Sequence, residues 1–181
     1  MLEPAIAPDL SRLFQDHLRE IPHFPIGGIL FKDIAPVLAQ PRALNQAISA
    51  IEPIVAELAP RRILAIDARG FVLGAPLADR LQSGFVMVRK PGKLPGNVHS
   101  YEYTCEYSTG HLEVTHGVVQ PGDRCLVVDD LLATGGTARA TSDFVRSLDA
   151  EVVGYCFLVE ILALRGRTRL PDAPVVSLFR C

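Results

Sequence analysis

Apolar residues recur at Leu10, Leu13, Phe14, Leu18 and Ile21. That three-to-four spacing puts one helical face against a core and predicts a helix over 9–21. The breaker-rich run Pro22-His23-Phe24-Pro25-Ile26-Gly27-Gly28 ends it, and 29–34 reads as a short extended segment. From Pro41, which suits a first helical turn, a second stripe runs through Leu44, Ile48, Ile51, Val55 and Leu58. Pro53 is expected to kink or interrupt that helix, because it removes a backbone donor and its ring crowds the preceding turn.

Past residue 60 the pattern changes. Short apolar runs at 62–66, 85–88, 125–128, 152–162 and 175–179 read as strands, with helical spacing at 71–81 and 137–148 between them. Segments 100–107 and 111–115 read as hairpin strands joined near Ser108-Thr109-Gly110. Strands alternating with helices predict an α/β fold, a mostly parallel twisted sheet covered by helices on both faces.

Composition narrows the function classes. The chain has 181 residues, 49% hydrophobic and 21% charged, which suits one folded domain spanning 1–181. A net charge of −2 argues against a dedicated nucleic-acid binder, yet leaves room for an anionic small molecule held by a few local cations. Cys105, Cys125, Cys156 and Cys181 form no CxxC pair and read as free thiols. No apolar stretch approaches the roughly 20 residues of a membrane span. Met1-Leu2-Glu3-Pro4 carries no basic-then-apolar leader, so the expectation is a cytoplasmic protein without a membrane partner.

The chemistry concentrates in Leu126-Val127-Val128-Asp129-Asp130-Leu131-Leu132-Ala133-Thr134-Gly135-Gly136-Thr137. An apolar strand ends in two carboxylates, and a loop with two Gly and two Thr leads into a helix. Unpaired N–H groups and the dipole at a helix start favour an anion, and glycines let a phosphate approach the backbone. The stretch is neither GxxxxGK[ST] nor GxGxxG. Adjacent carboxylates would repel phosphate, so Asp129 and Asp130 suit hydroxyl groups or a hydrated Mg²⁺. A ribose 5-phosphate meets both requirements.

Other stretches carry weaker signals. Arg69, in Ile66-Asp67-Ala68-Arg69-Gly70-Phe71, follows a buried strand and can fork onto a diphosphate. Arg89, Lys90 and Lys93 crowd a Gly/Pro-rich loop. Tyr101 to Tyr107 alternates Tyr or Cys with Glu or Thr, as a half-exposed strand does. Glu160, inside an apolar run, requires a partner or a role. The five histidines lack a catalytic constellation and read as surface or structural.

Residues 127–137 resemble the 5-phosphoribosyl-1-pyrophosphate (PRPP) motif of type I phosphoribosyltransferases, in the form found in the adenine branch of that family. The resemblance extends from about Asp9 to Phe179 with the motifs in family order. It implies a type I phosphoribosyltransferase fold with a short base-binding segment at 24–34 and a flexible hairpin hood at 91–115. The implied reaction passes the phosphoribosyl group of PRPP to adenine, giving AMP and pyrophosphate in purine salvage, with Mg²⁺ as cofactor. Asp129, Asp130, Ala133, Thr134, Gly135, Gly136 and Thr137 would then hold the ribose 5-phosphate. Asp67, Ala68, Arg69, Arg89, Lys90 and Lys93 would hold pyrophosphate, with a non-proline cis peptide between Asp67 and Ala68. Leu30, Phe31, Lys32 and Ile161 would hold adenine, Glu106 would be the catalytic acid and base, and Tyr103 and Tyr107 would belong to the hood. Some cations of this family reach a neighbour's site, which implies a homodimer. Gly27, Lys32 and Ser108 stand where the family usually has Pro, Arg and Gly. Two alternatives stay open: a 6-oxopurine substrate in place of adenine, and a PRPP-sensing regulator without catalysis.

Overall fold

The computed structural model describes residues 7–24, 27–28, 30–105, 108–170 and 173–181. In chain order its elements are α1 (Pro8–His17), β1 (Arg19–Pro22), β2 (Leu30–Asp33), α2 (Ala35–Leu38), α3 (Ala43–Ala56), β3 (Arg62–Ile66), α4 (Gly70–Arg80) and β4 (Gly84–Val88). They continue with β5 (Val98–Cys105), β6 (Ser108–Thr115), β7 (Arg124–Leu132), α5 (Gly136–Ser147), β8 (Glu151–Glu160) and β9 (Val175–Arg180). Two 3-10 turns, Leu162–Leu164 and Gly166–Arg169, lie between β8 and β9.

The main sheet has the order β4-β3-β7-β8-β9, and every pairing in it is parallel. Successive side chains on a strand point to opposite faces, so each strand feeds two cores. Leu64, Val127, Tyr155 and Phe157 pack with Phe144 and Val145 of α5 and with Leu112 and Val114 of β6. Ile63, Leu126, Val128 and Leu158 pack with Phe14, Ile51, Val55, Leu73 and Leu77 under α1, α3 and α4. The chain leaves β3 toward β4 on one side and returns as β7 on the other. The crevice beyond the ends of β3 and β7 is therefore the topological switch point, where open α/β sheets take their ligands.

Several elements depart from the pattern along the sequence. The helix expected to Ile21 stops at His17, because Leu18 turns extended and 19–22 pair antiparallel with β2. Arg19 meets Asp33 at 2.6 Å and Lys32 pairs with Glu20, cross-strand ion pairs that a continued helix could not make. Pro41 sits in the turn before α3. Pro53 stays inside α3, where Ile48, Ile51 and Val55 remain buried across it and packing outweighs the lost donor. Ser108, Thr109 and Gly110 pair with Cys105, Thr104 and Tyr103, so 108–110 belong to β6. β7 runs past Val128 to Leu132, because Asp129, Leu131 and Leu132 find register partners in Phe157, Val159 and Glu160 of the long, buried β8. Among the described residues no helix is long and apolar enough to cross a membrane.

Candidate active site

Two loops meet at the switch point. After β3, residues 67–69 make a tight turn into α4, and the Asp67–Ala68 peptide is cis. After β7, residues 133–135 lead into α5. Gly135 has φ +79°, a left-handed conformation that a side chain would strain. The loops are close-packed on their supports. A Cβ on Gly70 would stand 2.8 Å from the Val128 carbonyl oxygen, and one on Gly166 would stand 2.2 Å from the Ala133 oxygen. Gly166 thus lets the second 3-10 turn lie directly beneath the loop.

Residues 129 and 131–138, with Phe157, line a cradle of about 80 Å³ at the start of α5. It contains Asp129, Ala133, Thr134, Gly135, Gly136 and Thr137. A larger cavity of about 440 Å³ lies alongside, between the ends of β3 and β4 and the hairpin. Asp67, Arg89, Lys90, Tyr103, Gly110 and His111 are on its wall, and Asp129 and Thr137 line both spaces.

The electrostatics divide by sign. Burial, then the neighbouring charge of Asp130, raises the Asp129 carboxyl well above the ordinary carboxylate range. Asp130 is buried, and Arg69 Nε lies 2.6 Å from its Oδ2, although that oxygen accepts no hydrogen bond. The Arg69 guanidinium also lies over the Phe31 ring, 5.1 Å from its centroid. Arg89 Nε donates to Asp67 Oδ2 at 3.1 Å, and its Nη1 donates to the Lys93 carbonyl at 2.9 Å. Lys90 and Lys93 are exposed.

Asp67, Arg89, Lys90, Asp129 and the 133–137 loop are therefore gathered around two adjoining spaces. Arg69 is turned to Asp130 and Phe31 and does not line the larger cavity. Leu30 is exposed on β2, Phe31 packs edge-on against Phe24 with centroids 5.1 Å apart, and Lys32 is held by Glu20. Ile161 donates its N–H to the Leu132 carbonyl at 2.9 Å, which fixes it at the end of β7. Glu106 and Tyr107 lie outside the described residues. The partner that Glu160 requires is Arg167, with Arg180 and Ser177 beside it. Burial pushes that carboxyl up, but these donors and charges outweigh burial and hold it below the usual range.

Sequence reasoning missed Gly110, His111 and Gly166. The Tyr103 ring lies on Gly110, where a Cβ would be 2.5 Å from Cζ. His111 pairs with Glu102 at 3.5 Å, a contact that only the β5–β6 register reveals.

Residues 34–181 match the phosphoribosyl transferase domain family. Adenine phosphoribosyltransferase 2 of Rhizobium etli is 61% identical over 164 residues, covering 91% of this chain and 89% of that protein. The chain belongs to the phosphoribosyltransferase family. It is a pentosyltransferase with the type I phosphoribosyltransferase fold. The adenine phosphoribosyltransferase of Rhodothermus marinus superposes with a TM-score of 0.89 at 42% identity, over 97% of this chain and 100% of that one. That of Saccharomyces cerevisiae, in complex with an imino-altritol bisphosphate and adenine, superposes at 0.82 with 35% identity, over 93% and 98%.

Proposed function

We propose that this phosphoribosyltransferase joins adenine to the phosphoribosyl group of PRPP, releasing pyrophosphate and forming AMP for purine salvage. One observation carries the site assignment. The phosphate cradle and the cation-walled cavity share Asp129 and Thr137, so a single ligand with a phosphate at one end and a diphosphate at the other bridges them. A 5-phosphate on residues 133–137 sets the ribose hydroxyls beside Asp129 and Asp130 and directs C1′ toward the larger space. The relatives named above, identified as adenine phosphoribosyltransferases, support adenine as the base.

The C1′–O bond breaks and its electron pair departs with pyrophosphate, leaving an oxocarbenium-like centre. Adenine N9 forms the new C1′–N bond, and Glu106 takes the N9 proton. Arg69, Arg89, Lys90 and Lys93 supply a positive field for the charge growing on pyrophosphate. Asp67 orients Arg89 for this, and Ala68 joins Asp67 to Arg69 in the turn. Phe31 and Ile161 enclose the base, with Leu30 and Lys32 beside it. The hairpin with Tyr103 and Tyr107 closes to exclude water, which would otherwise trap the cation.

Asp129 and Asp130 are hard oxygen donors at the end of β7, and Arg69 Nε already stands 2.6 Å from Asp130 Oδ2, so the pair fits a hydrated Mg²⁺ carried by PRPP. Among the described residues no cluster of three or more ligating side chains occurs, so PRPP oxygens and water would carry the ion, with Asp129 and Asp130 reaching it through water and not by direct side-chain ligation. When bound, Mg²⁺ neutralises part of the diphosphate charge.

The reading extends to a cytoplasmic homodimer. Phe85 and Met87, exposed on the edge strand β4, support a second copy, and the free thiols Cys125 and Cys156 support a reducing compartment. Pyrophosphate release from PRPP, measured against a panel of nucleobases, tests the function. Adenine is expected to turn over fastest. Turnover confined to 6-oxopurines would overturn the base, and PRPP binding without release would overturn the reaction.

A further inference from the structure

Glu113 of β6 has no part in the chemistry above, yet it makes three contacts with the cation loop. Its backbone exchanges both hydrogen bonds with Arg89: Arg89 N–H donates to Glu113 O at 2.9 Å, and Glu113 N–H donates to Arg89 O at 2.7 Å. Its side chain reaches past Arg89, and Oε2 accepts the Gly92 N–H at 3.0 Å. Gly92 has φ +73° and sits at the bend of the loop, one residue before Lys93. The Lys93 carbonyl in turn accepts Arg89 Nη1, whose Nε is held by Asp67. The loop is thus pinned on two sides, to the turn after β3 through Arg89–Asp67 and to the hairpin through Glu113–Gly92.

We infer that Glu113 is a positioning residue for the pyrophosphate clamp: its carboxylate fixes the bend at Gly92 and so sets where Lys90 and Lys93 stand relative to the hood. This rests on the phosphoribosyltransferase reading. It also makes hood and clamp one mechanical unit, because the residue holding the bend belongs to a hood strand. Two chemical requirements separate the role from bulk charge. The acceptor oxygen must reach Gly92, and it need not be ionised.

Glu113→Asp keeps the charge and loses a methylene of reach, whereas Glu113→Gln keeps the reach and loses the charge. Removing a hydrogen bond of this kind corresponds to about a tenfold change. Glu113→Asp and Glu113→Ala are expected to raise the KM for PRPP by about that factor. Their kcat and KM for adenine should stay within about twofold, because a tie that only places the clamp acts on substrate binding. Glu113→Gln is expected to keep the wild-type KM. Amide hydrogen exchange at Gly92, which needs no turnover, should speed up in Glu113→Asp and not in Glu113→Gln. A wild-type KM for Glu113→Asp, unchanged exchange at Gly92 in that variant, or equal loss in Asp and Gln variants would each overturn the role. A wild-type enzyme inactive with adenine would instead sink the functional reading and leave the exchange result to judge Glu113.

Discussion

Gly166→Ala adds one methyl group more than thirty residues beyond Asp130. The new Cβ would stand 2.2 Å from the Ala133 oxygen, 3.0 Å from Gly135 N and 3.0 Å from Leu132 Cδ1. Ordinary contact requires the oxygen and the methyl to separate by about 1 Å more. Gly166 is buried and the closest atom is backbone, so a swing of the Leu132 side chain would not relieve the clash. Its own φ is not in the left-handed region, so the cost is contact and not backbone strain. Either the 3-10 turn or the loop at 133–135 must move by that amount. Overpacking of this kind costs about 1–3 kcal/mol, and each kcal/mol lowers Tm by about 2–4 °C in a chain of this size. A displacement of about 1 Å at a positioning loop can cost about 10²-fold in rate. The variant should therefore lose kcat/KM for PRPP by one to two orders of magnitude, a larger relative effect than its modest fall in Tm. Thermal scans and initial rates at varied PRPP check both numbers. Wild-type kcat/KM together with a lowered Tm would refute the reasoning, since the strain would then have been absorbed away from the cradle.

Two further outcomes follow from the buried charges and thiols. Asp129 is raised in the folded chain by burial and by Asp130, so its ionisation weakens the fold. The penalty begins above the ordinary carboxylate value of about 3.9 and grows until the folded-state value is passed. Asp129→Asn should accordingly raise Tm at pH 7, with a gain that shrinks toward pH 4, while PRPP binding weakens; a gain independent of pH would contradict this. Burial pushes the Cys125 thiol up to about 12, with the Asp123 charge adding to it, and burial raises Cys156 further. Neither should label with a thiol reagent at pH 8 until denaturant is added, whereas the exposed Cys181 should label in the native chain, as peptide mapping by mass spectrometry would read.

The alternation of apolar runs made the parallel sheet legible, because each buried strand reads as a short Val/Ile/Leu-rich segment, and Gly135-Gly136 with two Thr marked the loop that lines the cradle. Less legible was whatever depended on a distant partner. The continuation of β7 through Asp129 is set by the register with Phe157 and Val159 of β8, which no local pattern encodes. β1 could not be told from the end of α1, since Leu18 and Ile21 fit either period and only pairing with β2 decides. Arg69 was readable as an anion ligand, but its contacts with Asp130 and Phe31 join three segments far apart in sequence. Gly166 and Glu113 gave no signal for the same reason: the partners of Gly166 lie more than thirty residues away, and Gly92 lies 21 residues from Glu113.

The placement of β3 between β4 and β7 also makes the sheet a ruler. The turn at 67–69 and the loop at 133–135 hang from neighbouring strands in fixed register, with Ala65 opposite Val128, so backbone hydrogen bonding sets the interval between them: one strand spacing of about 4.8 Å across the sheet, and about 10 Å along it where β7 outruns β3. Side chains at either site can change without altering that interval. The hairpin and the segment before β3 can likewise be recut for a different base or a different lid, and the sheet will still measure the same length of sugar phosphate.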